Sequence, residues 1–168
     1  ITDLASAEKG SSGYVSTQPI YKLDNVLVTL YKNKKINYIR DLNKKKIAVL
    51  KDEFLQKALT DAMSKGQTTN FVYVPSMKTG LSMLAEGKVD AVAGTELTIN
   101  YYAQQLGMEN SLRHIGDKIC SEDVALAVSV YNTKLYNILN KTLLQLKKDG
   151  AFDSSQKLWL GSSASMVT

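Results

Sequence analysis

The sequence has little of what staples a fold, grips phosphate or crosses a bilayer. A single cysteine, Cys120, excludes an intrachain disulfide and argues against a structural zinc site. A single histidine, His114, has no second histidine or cysteine near it, so neither a metal site nor a Ser–His–Asp triad is expected. Only Arg40 and Arg113 supply guanidinium groups; the remaining basic residues are lysines, and the formal charge is +5. The lysines cluster at Lys32-Asn33-Lys34-Lys35 and Lys44-Lys45-Lys46, with almost none of the arginine forks that read nucleic acid and no aromatics interleaved in a recognisable binding motif. These runs read as a solvated face, and nucleic acid is not an expected partner. No apolar run approaches the roughly twenty residues that span a bilayer. No charged start leads into an apolar segment at Ile1, so any export signal is expected to have been removed already.

What is present is a chain of common domain length, 44% hydrophobic and 22% charged, enough to bury a core. Residues 26–31, Val-Leu-Val-Thr-Leu-Tyr, predict a strand, and Ile47-Ala48-Val49-Leu50 predicts one buried on both faces. From Leu55 the apolar period lengthens: Leu55, Ala58, Leu59, Ala62 and Met63 predict a helix, with Asp52 as N-cap and Gly66 as stop. The alternation repeats with a strand at 71–74, a helix capped by Ser76 and closed by Gly87, and a strand at 89–93. A helix from about Thr95 to Leu106, closed by Gly107, follows. Strand and helix alternating through short connections imply a parallel sheet. Further on, 111–115 and 124–130 read as strands. Leu135, Ile138, Leu139, Thr142, Leu143 and Leu146 form one side of a helix ending at Gly150. A last short helix is expected over 152–160, with Trp159 on the core. Met63, Met77, Met83 and Met108 read as core filling.

Several landmarks stand in a fixed order: Ser16-Thr17-Gln18-Pro19-Ile20-Tyr21, Arg40-Asp41-Leu42, Lys45-Lys46-Ile47-Ala48-Val49 and Leu84-Ala85-Glu86-Gly87-Lys88-Val89-Asp90-Ala91. Ala125-Leu126-Ala127-Val128, Leu146-Lys147-Lys148-Asp149-Gly150 and Leu158-Trp159-Leu160-Gly161 complete it. The set resembles the family 3 extracellular solute-binding proteins, whose type II periplasmic-binding fold also serves as the sensor module of membrane-bound signalling proteins. The resemblance implies an α/β fold of two lobes with parallel-type sheets, joined by two crossing strands that close on a ligand. It assigns residues 1–31 to part of lobe one and the first hinge strand, and 32–123 to a complete lobe two. Residues 124–161 then supply the second hinge strand and the C-terminal helices of lobe one, with 162–168 as a tail. On this reading the opening strands and helices of lobe one are missing, so lobe one is incomplete.

The same resemblance nominates site residues. Ser6 and Lys9 match the setting that clamps a ligand carboxylate, with lysine in place of the family's arginine. Asp52, Glu53 and Phe54 stand at the family's anion-binding turn, where Asp52 would cap the free N–H groups itself and Phe54 would pack on the ligand or in the core. Thr95 replaces the family's amine-binding aspartate, with Glu96 beside it. The expected function is extracytoplasmic binding of a small polar solute, amino-acid-like or a small organic ion, for uptake through a membrane permease or for signalling through the protein's own membrane-anchored domain. No cofactor, metal or catalysis is expected. The alternatives are an enzyme on this fold, similar to cyclohexadienyl dehydratase and using Glu53 or Glu96, and the effector-binding domain of a LysR-type regulator.

Overall fold

The structure, a computed structural model, describes residues 2–5, 13–152 and 154–155. It divides into two compact units, one of residues 24–120 and one of residues 1–23 with 121–168; the chain passes between them at Leu23–Asp24 and Cys120–Ser121.

The strands of residues 24–120 run β3 (Tyr21–Leu30), β4 (Lys46–Val49), β5 (Asn70–Tyr73), β6 (Ala91–Thr95) and β7 (Leu112–His114). The helices are α1 (Glu53–Ala62), α2 (Met77–Ala85) and α3 (Glu96–Gln105). Strand β4 lies parallel to β5 on one side and to β6 on the other. Strand β3 runs antiparallel to β6, with Asn25 opposite Thr95, and pairs antiparallel with β7. The expected parallel sheet is thus mixed: parallel where helices make the crossovers, antiparallel where β3 joins it.

Side chains on successive strand residues point to opposite faces, and the core obeys that alternation. Val26, Val28, Ala48 and Val92 pack with Met77, Leu81 and Leu84 of α2 and Ile99 and Ala103 of α3. Their neighbours Leu27, Ile47, Val49, Ala91 and Ala93 pack on the other face with Leu55 and Leu59 of α1, Ile36, Leu42 and Ile115. Two glycines permit close approach. A Cβ on Gly80 would meet Ala48 Cβ at 3.4 Å, and one on Gly94 would come within 2.3 Å of Met77 Cε.

Several boundaries differ from the sequence expectation for physical reasons. Helix α1 stops at Ala62, which is exposed; Met63 is its C-cap, and Gly66 takes φ +84° in the turn beyond. Met63 therefore lies outside the core that Met77 and Met108 enter and Met83 borders. Val89 is buried, but β6 begins at Ala91, after Asp90 has accepted a bond from the Lys46 amide (2.9 Å). Strand β3 starts at Tyr21 rather than Val26, its first residues being half-buried and, except for Leu23, polar or amphipathic.

In the other unit, β1 (Thr2–Ala5) and β2 (Tyr14–Ser16) both pair antiparallel with β8 (Cys120–Ser129). Helix α4 (Thr133–Lys148) is capped by Asn132, whose Oδ1 accepts from Leu135 N at 3.1 Å, and Gly150 follows it at φ +69°. Gln18 holds α4 through two bonds to Asn140, at 2.9 and 3.1 Å, and Lys147 donates to the Pro19 carbonyl at 2.8 Å. Of the apolar stripe on α4, Leu143 alone is fully buried, while Ile138 and Leu146 are exposed. Trp159, most of the expected helix over 152–160 and the tail 162–168 lie outside the described residues.

Candidate functional site

Because β4, β5 and β6 are parallel, their C-terminal ends share one edge of the sheet, the edge where open α/β sheets place ligands. Residues 50–55 leave β4 there, Ser76 follows β5, Thr95 ends β6 and Glu96 opens α3. The antiparallel register brings the start of β3 to the same edge, with buried Asn25 beside Thr95. The residues nominated around 52–54 and 95–96, more than forty positions apart, thus follow strands that end at one edge, or rim, of the sheet, with α1 and α3 leaving to opposite faces.

Each is held by local chemistry. Asp52 is extended and half-buried, and its Oδ1 accepts from Leu55 N at 3.1 Å, so the carboxylate occupies the N-terminus of α1 itself. Glu53 is the first residue of α1. Phe54 is 42% exposed and belongs to neither core cluster. Thr95 is N-cap of α3 without a capping bond to the backbone; its hydroxyl donates instead to Thr98 Oγ1 at 2.7 Å. Glu96 opens α3, largely sheltered, with Oε1 3.6 Å from Nε2 of half-exposed His114. Lys118 closes this side through Asp24 at 3.3 Å. Ser6 and Lys9 lie outside the described residues.

Neither arginine is available at this rim. The Arg113 guanidinium donates to the carbonyls of Asn33 and Ile36, and that of Arg40 lies over the Tyr38 ring at 4.4 Å. Among the described residues no group of three or more His, Cys, Asp or Glu gathers as a metal site. A surface pocket of about 330 Å³ flanks the rim between α3 and β7, lined by Ile99, Asn100, Gln104, Glu109, Arg113 and His114 among others. The Glu96–His114 and Asp24–Lys118 pairs escaped the sequence reading, because no local period links residues so far apart.

No family model matches the sequence. The amino-acid-binding protein AabA of Dichelobacter nodosus is 24% identical over 143 residues, 85% of this chain and 56% of that protein. A putative ABC transporter arginine-binding protein 2 of Escherichia coli is 26% identical over 148 residues, 85% of this chain and 58% of that protein. Among solved structures, the GluR0 ligand-binding core in complex with L-glutamate superposes with a TM-score of 0.77 at 18% identity, over 95% of this chain and 69% of that one. A histidine kinase sensor domain with similarity to periplasmic binding proteins gives 0.76 at 19% identity, over 95% and 68%. The fold is therefore that of the type II periplasmic-binding proteins, and the sequence is similar to those of the two binding proteins named above. It spans a little over half the length of the curated relatives it matches.

Proposed function

We propose that this chain is a non-catalytic binding module of an extracytoplasmic protein, taking a small polar solute of amino-acid type on the strand-end rim of residues 24–120. One observation carries the reading: Asp52, Phe54, Thr95 and Glu96, from two separate crossovers, stand along the rim where this fold presents its ligands. The names of the relatives, amino-acid- and arginine-binding proteins, support the same class. The charges narrow it. Among the described side chains the carboxylates of Asp52 and Glu96 stand on the rim with the ammonium of Lys51, both arginines are engaged elsewhere, and Asp52 fills the helix N-terminus that would otherwise attract an anion. The rim therefore favours the ammonium or guanidinium end of a ligand, with Phe54 as apolar wall. Ser6 and Lys9 are assigned, by the family resemblance, to the ligand's anionic end, and Glu53 to the same turn as Asp52. A permease or the protein's own membrane-anchored signalling domain is the downstream partner. Among the described residues no helix is long and apolar enough to cross a membrane.

Titration calorimetry of the full-length protein against arginine, lysine, polyamines, glutamate and small organic acids tests this. Cationic solutes are expected to bind and glutamate to bind more weakly. Asp52→Ser keeps a cap but removes the charge, and is expected to weaken cationic ligands about tenfold or more. Heat silence across the whole panel would overturn the reading. Turnover of a cyclohexadienyl substrate that Glu53→Gln or Glu96→Gln abolishes would establish the enzyme instead.

A further inference from the structure

The net positive charge of the chain comes from one short stretch. Residues 31–46 hold seven of the 21 basic residues and one of the 16 acidic ones, a local balance of +6 against +5 for the whole. Because β3 runs antiparallel to β6 and β6 parallel to β4, the end of β3 and the start of β4 share one edge of the sheet, the edge opposite the proposed ligand rim. The stretch between them is built as a fixed surface. Ile36 and Leu42 anchor it in the core, Arg113 donates to the carbonyls of Asn33 and Ile36, and Gln67 Nε2 donates to the Arg40 carbonyl at 3.0 Å. Among the described residues, Lys32, Lys34, Lys35, Arg40, Lys44 and Lys46 are all exposed and none has a carboxylate within ion-pair distance; Lys45 alone meets Asp90, at 3.9 Å. The one acidic residue, Asp41, is taken up by the backbone amides of Asn37 (2.9 Å) and Tyr38 (3.0 Å).

Two exposed tyrosines stand among these cations: Tyr31 with Lys34 Nζ 3.8 Å above its ring, and Tyr38 beneath Arg40. A pocket of about 380 Å³ opens beside Tyr31 and Lys32, with Asn110 and Ser111 in its wall. We propose that this edge docks the protein on a bilayer surface rich in anionic phospholipid headgroups. A membrane presents a plane of fixed negative charge, which a broad set of separate ammonium groups matches better than it matches a compact anion. Tyrosine, apolar in body and polar at its tip, suits the headgroup level. Nucleic acid fits less well: one face of each ring carries a cation and is closed to bases, and six of the seven basic groups are single ammonium groups in place of guanidinium forks. The proposal rests on the extracytoplasmic reading, which sets the protein beside a membrane, and the rim opposite stays free for solute.

The test is co-sedimentation of the full-length protein with vesicles of phosphatidylcholine alone or mixed with phosphatidylglycerol. Binding is expected to need phosphatidylglycerol, to fall as salt rises, and to weaken about fivefold for each lysine removed. The triple variant Lys32→Gln, Lys34→Gln, Lys35→Gln should therefore lose roughly a hundredfold. Lys134→Gln with Lys141→Gln, on α4, serves as a control that should change little, and circular dichroism confirms that each variant folds. No sedimentation with phosphatidylglycerol at low salt, or equal loss in the control, overturns the proposal, as does tighter binding of an oligonucleotide than of vesicles at matched salt. Calorimetry with solutes on the same triple variant separates the two readings: solute binding retained with vesicle binding lost supports docking. Absence of solute binding in a protein that still sediments sinks only the functional reading.

Discussion

Two helices with similar apolar stripes meet different fates in this molecule. In residues 24–120, α2 buries Met77, Leu81 and Leu84 completely, between the sheet and α3. In the other unit α4 carries leucine and isoleucine at the same helical spacing, yet Ile138 and Leu146 of that stripe are exposed. Periodicity states which face a helix offers. Burial, and with it nearly all of the hydrophobic contribution, depends on what lies opposite. Stability is therefore expected to be concentrated in residues 24–120.

The largest predicted effects break that comparison open. Leu81→Ala or Leu27→Ala removes a side chain with no exposed surface and should destabilise by about 3 kcal/mol. Ile138→Ala or Leu144→Ala on α4 should stay within about 0.5 kcal/mol, since those side chains already meet solvent. Urea denaturation of the four variants measures both. An α4 substitution as costly as Leu81→Ala would show that the exposed face is covered in solution.

Next in size is Gly94→Ala. The new methyl would sit on Met77 Cε, the flexible end of a side chain that is itself buried, so the cost should be about 1–2 kcal/mol. Met77→Ala in the same chain removes the clash, and the pair should cost less than the sum of the two single changes. Additive costs would mean that Met77 does not give way as the geometry requires.

At the proposed ligand rim the comparison becomes one between two caps. Asp52 and Ser76 each accept from a helix amide, Leu55 N at 3.1 Å and Thr79 N at 3.2 Å. Replacing either with alanine should cost about 1 kcal/mol. Only the Asp52 change should alter solute preference. Equal effects on solute binding from Ser76→Ala would mean that general loosening of the rim, and not the carboxylate, is responsible.

What was legible in the sequence follows the same division. Alternating runs such as Ile47-Ala48-Val49 and caps such as Asp52 and Ser76 are local signals, and they located β4, α1 and α2 to within a few residues. Long-range facts were not legible. Strands β3 and β8 begin with half-buried, mostly polar residues that pairing, not apolar content, makes into strands. The meeting of Glu96 with His114 depends on how α3 lies beside β7, which no spacing encodes. The stripe on α4 located the helix and its end at Gly150, but which of its residues would be buried was not legible, because that depends on what lies opposite.

The smallest predicted effect concerns the cationic edge. The backbone amides of Asn37 and Tyr38 favour the charged form of Asp41 and hold its pKa below the ordinary 3.8. A carboxyl depressed on folding contributes stability that is complete above its unfolded value and is lost as pH falls through the folded one. Asp41→Asn keeps an acceptor but no charge, so the native protein should exceed this variant in urea midpoint near neutrality by a small margin, Asp41 being on the surface. The margin should close as pH drops below 3.8. If it persisted unchanged in acid, shape rather than charge would be holding the 37–41 turn, and the edge would owe its form to buried Ile36 and Leu42.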